Sequence, residues 1–203
     1  MGAVALYGGS FDPIHIGHLI TAANAVDTFN LDKLIFVPSH ITPLKDRKLL
    51  ATDKQRYDMT NISICGNSKF EVSDYEITKE GVSYTYNTVK YFREIYENEK
   101  IYFIVGTDRA KDLKKWYNIE ELAKMVTFIF VARDNENLET TVKSDDFYKN
   151  ISYEIMVSPI IEISSSLIRN NIKNNKNIDY MVTQQCKSYI EELNLYEFRG
   201  NSK

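Results

Sequence analysis

Val4-Ala5-Leu6-Tyr7-Gly8-Gly9-Ser10-Phe11-Asp12-Pro13-Ile14-His15-Ile16-Gly17-His18 is the stretch whose reading decides the fold. Its first four residues form a short apolar run, which suits a central parallel strand covered on both faces better than an alternating edge strand. Glycines, a turn stiffened by proline and two histidines bracketing a glycine follow. From Gly17, residues Leu19, Ala22, Ala23, Val26 and Phe29 recur at helical spacing. A helix is therefore expected from near His18 to Asn30, with His18 on its first turn. A buried strand that passes through glycines into a helix N-terminus is a place to hold a polyphosphate, because backbone amides and the helix dipole meet the anion there. Gly8 and Gly9 let the backbone approach where a Cβ would intervene.

Outward from this stretch, strand and helix signals alternate. Lys33 to Val37 reads as the second strand, and Pro38 to Lys45 as a loop held by two prolines. Thr52-Asp53-Lys54-Gln55 has capping-box spacing for a helix to about Cys65. Phe70-Glu71-Val72 and then Tyr75-Glu76-Ile77 alternate like two short strands, and Ser83-Tyr84-Thr85 offers caps for a helix carrying Val89, Phe92 and Tyr96. Apolar runs at Ile101 to Val105 and Val126 to Val131 are further strands; 136–150 reads as loop plus a short helix, and Tyr153 to Val157 as the last strand. Ser164-Ser165-Ser166 caps a helix, and Gln184 to Leu193 forms another. The pattern predicts an α/β fold with a doubly wound parallel sheet and a ligand crevice at the C-terminal strand ends. One domain, 1–203, is expected, with 160–203 as its helical C-terminal part.

Composition narrows the function. With 43% hydrophobic and 26% charged residues the chain is globular, and a net charge of -3 offers no electrostatic basis for binding nucleic acid. Two distant cysteines, Cys65 and Cys186, lack partners at metal-ligand spacing, which points to a reduced, cytoplasmic protein. No apolar run approaches the ~18 residues of a membrane span, so no membrane partner is expected. Asp53, Asp58, Asp145 and Asp146 form no metal cluster by spacing, so no resident metal is expected. A homo-oligomer stays open.

The run Gly8 to Leu19 resembles the nucleotidyltransferase superfamily marked by a His-x-Gly-His signature. Ile163-Ser164-Ser165-Ser166-Leu167-Ile168-Arg169 resembles the same superfamily's second signature, in the right order. Taken alone, two histidines near glycines suit a capped turn, and the serines suit ordinary N-caps; the pair of motifs together favours function. Along nearly its whole length the chain is similar to bacterial nicotinate-nucleotide adenylyltransferases. Val37-Pro38-Ser39 through Lys45, Ser83-Tyr84-Thr85, Gly106-Thr107-Asp108 with Leu113 and Trp116, and Val131-Ala132-Arg133 carry that likeness. The resemblance implies a Rossmann-like enzyme that joins ATP to nicotinate mononucleotide, giving deamido-NAD and pyrophosphate, with Mg²⁺ arriving on the nucleotide.

By position, the resemblance assigns His15, His18, Lys45 and Arg169 to catalysis. It places ATP against Gly8, Gly9, Ser10, Phe11, Gly106, Asp108, Ser165 and Ser166, together with the two histidines and Arg169. The pyridine nucleotide falls to Thr85, Trp116 and Arg133. Two departures stand out: Leu44 occupies the middle of a Pro-His-Lys pattern, leaving His40 as the stand-in for a third histidine, and Asp134 replaces a proline after Arg133. Rival readings are a nicotinamide-mononucleotide or phosphopantetheine adenylyltransferase, or a nucleotide-binding regulator without turnover. A class I aminoacyl-tRNA synthetase is disfavoured, since the chain has no Lys-Met-Ser-Lys-Ser-like loop.

Overall fold

The computed structural model describes residues 2–43, 49–132, 142 and 145–197, without the side chains of Thr107 and Asp108. Among these, six strands build one sheet: β1 (Ala3–Gly9), β2 (Lys33–Pro38), β3 (Phe70–Val72), β4 (Lys100–Gly106), β5 (Thr127–Ala132) and β6 (Tyr153–Val157). Their order is β3-β2-β1-β4-β5-β6, and every neighbouring pair is parallel. The chain runs outward from β1 to β3 and then returns to lay β4 beside β1. The order reverses between those two strands, and that switch point is where an open α/β sheet leaves a crevice.

Parallel neighbours require crossovers, which helices supply. These are α1 (Ile16–Thr28), α2 (Asp53–Ile64), α3 (Tyr75–Lys79), α4 (Thr85–Ile95), α5 (Thr107–Ala110), α6 (Ile119–Met125), α7 (Asp146–Lys149), α8 (Ser165–Lys173) and α9 (Gln184–Glu192). Successive strand residues point to opposite faces, so each strand feeds two cores. In β4, Tyr102 and Ile104 join the core that holds Ala22, Met59, Ile168 and Ile190. Ile101, Phe103 and Val105 join the one that holds Val89, Phe92 and Leu122. Burying a side chain of this size contributes about 1.5–3 kcal/mol, and both faces are covered, which accounts for the near-continuous apolar runs read from the sequence. Thr52 caps α2 by accepting from the Gln55 amide, and Gln55 reciprocates from its side chain, as the spacing predicts.

Two local expectations are corrected. Tyr75-Glu76-Ile77 is the start of helix α3, not a strand: β3 ends at Val72, the Ser73 hydroxyl accepts from the Tyr75 amide, and the Asp74 carbonyl accepts from Thr78. The alternation of Tyr75 and Ile77 about Glu76 does not place Glu76 outward. It is buried and accepts a 2.6 Å bond from the Thr88 hydroxyl. The N-cap of α4 is Tyr84, with no side-chain cap, because Ser83 Oγ accepts instead from the His40 amide at 2.9 Å. Within 136–150 the short helix is α7; residues 136–141, 143 and 144 lie outside the described residues. Helices α5 and α6 were not anticipated.

Candidate active site

A cleft of about 570 Å³ opens over the C-terminal ends of β1 and β4. It brings together Gly8, Gly9, Ser10, Phe11, His18, Thr85, Gly106, Trp116 and Ser165, all named from the sequence. These residues come from the first loop, the start of α4, the end of β4, the segment before α6 and the start of α8.

The first loop is built tightly. A Cβ on Gly9 would lie 2.8 Å from the Phe11 ring, so nothing larger than glycine fits without displacement. Phe11 adopts a left-handed φ of 45°, a strained conformation for a bulky residue. It is held there by edge contacts to Tyr7, His18 and Phe36, with ring centroids 5.1–5.8 Å apart. Gly106 differs: among the described residues a Cβ there meets no atom within 4 Å beyond its chain neighbours, and the space lies on the cleft.

His15 is the N-cap of α1 and His18 its third residue, so the helix starts two residues earlier than the apolar spacing suggested. The rings stack with centroids 3.6 Å apart. His18 Nδ1 accepts from the His15 amide at 3.2 Å, which leaves the neutral ring's proton on Nε2. His18 lines the cleft, whereas His15 is 8% exposed and its Nδ1 is buried without a partner. Burial pushes the His15 pKa down to about 4, so the ring is neutral at pH 7.

The second signature docks on the first. Ser164 caps α8 by accepting from the Leu167 amide, Ser165 Oγ donates to the Pro13 carbonyl at 2.8 Å, and Arg169 donates to the Asp12 carbonyl and to Ser166 Oγ. Arg169 is 8% exposed and sits behind the cleft wall. Asp12, which the sequence reading left out, is the anchor of this loop. Its buried carboxylate accepts from the amides of Leu50 and Ala51 at 3.1 Å and from the Tyr196 hydroxyl at 2.9 Å. A charged residue inside a signature, next to proline, was the available signal.

On the opposite wall, Trp116 stands edge-on to Phe103, centroids 5.8 Å apart, near Thr85 and a Tyr84–Tyr117 ring pair at 4.7 Å. Glu76, Arg109 and Lys115 also line the cleft and were missed. Burial raises the Glu76 carboxyl above the usual range, against the bonds from Thr88 and Ser83. Lys115 pairs with Asp112 at 2.6 Å. Lys45 and Arg133 lie outside the described residues, as does the side chain of Asp108. His40, the stand-in for a third histidine, holds its Nδ1 on the Asp53 carboxylate and is not part of the cleft lining. Among the described residues no group of three or more His, Cys, Asp or Glu could hold a metal ion, and no helix is long and apolar enough to cross a membrane.

The cytidylyltransferase-like family model matches residues 6–171, a span that contains both signatures. A "Probable nicotinate-nucleotide adenylyltransferase" of Clostridium novyi (strain NT) is 39% identical over 197 residues, covering 95% of this chain and 98% of that protein. The chain belongs to the nicotinate-nucleotide adenylyltransferase family. A second member, from Staphylococcus epidermidis (strain ATCC 12228 / FDA PCI 1200), is 37% identical over 95% of this chain and 96% of its own length. Among solved structures, the Plasmodium falciparum nicotinic acid mononucleotide adenylyltransferase complexed with NaAD superposes with a TM-score of 0.76. It is 25% identical and covers 97% of this chain and 98% of its own. The doubly wound parallel sheet expected from alternating strands and helices, and the Rossmann-like nucleotidyltransferase fold that the resemblance implied, are the fold this chain shares with that structure.

Proposed function

We propose that this chain transfers the adenylyl group of ATP to nicotinate mononucleotide, giving deamido-NAD and pyrophosphate in NAD biosynthesis. The observation that carries the reading is one cleft joining the histidine turn, through Ser10 and His18, to the wall of Thr85 and Trp116, in a chain of this family. An oxygen of the acceptor phosphate attacks the α-phosphorus of ATP, the bond to the bridging oxygen breaks, and pyrophosphate leaves. No protein nucleophile takes part. Charge grows on the phosphoryl oxygens, so donors fixed beforehand accelerate the step.

His18 supplies such a donor through Nε2–H, with neutral His15 stacked behind it. Gly8, Gly9, Ser10 and Phe11 shape the phosphate end. Ser165 and Lys45 serve the triphosphate, which brings its own Mg²⁺, while Ser166 and Arg169, outside the cleft lining, brace the first loop from behind. Gly106 and Asp108 are assigned to the ribose. Thr85, Trp116 and Arg133 take the pyridine ring, with Trp116 as a stacking surface. Arg109 and Lys115 on the cleft, against one carboxyl whose burial favours its neutral form, support the acceptor with the extra carboxylate. The chain acts as a single domain, 1–203, with Ser165 of α8 bonded to the first loop, and sparing cysteine usage supports a place in the reduced cytoplasm.

Pyrophosphate release with ATP and, in turn, nicotinate mononucleotide, nicotinamide mononucleotide and phosphopantetheine tests the reading. The highest kcat/KM is expected with the first; no turnover of it sinks the proposal.

A further inference from the structure

A chain of polar contacts runs beneath the cleft floor and ends on the phosphate loop. Arg56, fully buried on α2, donates from Nη1 to the Ser10 carbonyl at 2.7 Å and from Nη2 to the Asp53 carboxylate. The other oxygen of Asp53 accepts from His40 Nδ1. An ionised carboxylate only accepts, so the His40 ring carries its proton on Nδ1. His40 is itself fixed from the acceptor side: its amide donates to Ser83 Oγ at 2.9 Å, the Ser83 amide donates to the Ile41 carbonyl at 2.8 Å, and Ile41 bridges Val82. Segment 40–41 is thus zipped to the segment that carries Thr85, while the His40 ring meets Asp53 on α2, two contacts away from the Ser10 carbonyl.

Resting on the adenylyltransferase reading of the cleft, we propose that His40 is a positioning residue: through Asp53 and Arg56 its ring sets the Ser10 carbonyl, and with it the phosphate-facing end of the first loop. A buried, planar guanidinium held by one bond at each Nη, its Nε buried without a partner, couples the two groups it joins more rigidly than a flexible ammonium would. The arrangement gives His40 a role away from the phosphates themselves, one that needs a donor at Nδ1 and nothing at Nε2.

The test compares His40→Phe, which keeps ring bulk and the backbone link to Ser83 but removes the donor, with His40→Asn, whose side-chain amide places a donor where Nδ1 stood. In His40→Phe, kcat/KM for ATP is expected to fall ~10-fold from a misplaced phosphate loop. KM for the acceptor should stay within about twofold of the parent's, and His40→Asn should recover most of the loss. Equal kcat/KM for ATP in His40→Phe and parent overturns the proposal, and so does an equal loss in both variants. Parent turnover is measured first: its absence with every acceptor sinks the adenylyltransferase reading instead. ATP affinity of the same three proteins, read by calorimetry, then decides the relay. Weakening confined to His40→Phe supports it, and any other pattern overturns it.

Discussion

Ser165 donates its hydroxyl to the carbonyl of Pro13 at 2.8 Å, closing a separation of 152 residues. With Arg169 on the Asp12 carbonyl, it stitches the second signature to the first. Ser165→Ala leaves that carbonyl without its donor and should cost about 1 kcal/mol, a drop of roughly 2–4 °C in a thermal scan for a chain this long. Turnover with ATP should decline as well, because the histidine turn begins two residues on. A variant that matches the parent in both melting temperature and ATP kinetics removes the stitch from the account.

His18→Ala removes the Nε2–H donor from the cleft. Turnover is expected to fall ~10²-fold or more while ATP still binds, since a donor matched to the transition state acts mainly on rate. Steady-state kinetics beside an ATP titration checks this, and equal activity in variant and parent takes His18 out of the catalytic role.

His15 makes stability depend on pH in a defined direction. The folded ring has a pKa of about 4 against 6.5 for an ordinary histidine, so between these values the unfolded chain binds more protons. Its contribution is fully present above about pH 6.5 and is lost as pH falls towards 4, a change of about 3 kcal/mol. Urea unfolding at pH 7.5, 5.5 and 4.5 in parent and His15→Asn isolates it from the carboxylates, which both proteins share. Parallel stability curves in the two proteins contradict the buried, neutral ring.

Trp116→Ala should raise KM for nicotinate mononucleotide by about tenfold, the worth of a stacking partner, and leave KM for ATP within about twofold. A change confined to ATP would move Trp116 from the acceptor wall to the nucleotide side.

Cys65 is exposed and Cys186 buried, where loss of solvation pushes its thiol up to about 12. An aromatic disulfide reagent at pH 8 should therefore titrate one thiol in the native protein and two in denaturant. Two fast native equivalents would mean that the packing around α9 is open.

The sheet was legible because each central strand is buried on both faces, and only apolar runs survive there; β6 was bounded to the residue from Tyr153-Glu154-Ile155-Met156-Val157. Helix α3 was not, since five residues are too few to separate a period of two from one of 3.6, and Glu76 reads as solvent-facing until Thr88 is seen beside it. The glycines, His18, Thr85, Trp116 and Ser165, which line one cleft, were named because they stand in stretches that resemble the family's. Arg56, Asp53 and Asp12 were hidden for a different reason. Asp12 is held by amides and a hydroxyl on other elements and Arg56 by the Ser10 carbonyl, and a backbone group has no letter in the sequence; Asp53 meets Arg56 one turn on and His40 from a distant loop. The role of Arg169 shows the same limit: its guanidinium meets a carbonyl behind the loop, a contact that the signature does not spell out.

Tyr196 reaches Asp12 across 184 residues. The groups that grip the carboxylate beneath the histidine turn lie at 50, 51, 169 and 196, on stretches that share no sequence neighbourhood with it. A chain cut anywhere before Tyr196, even one that keeps α9, therefore presents the histidine turn without that clasp.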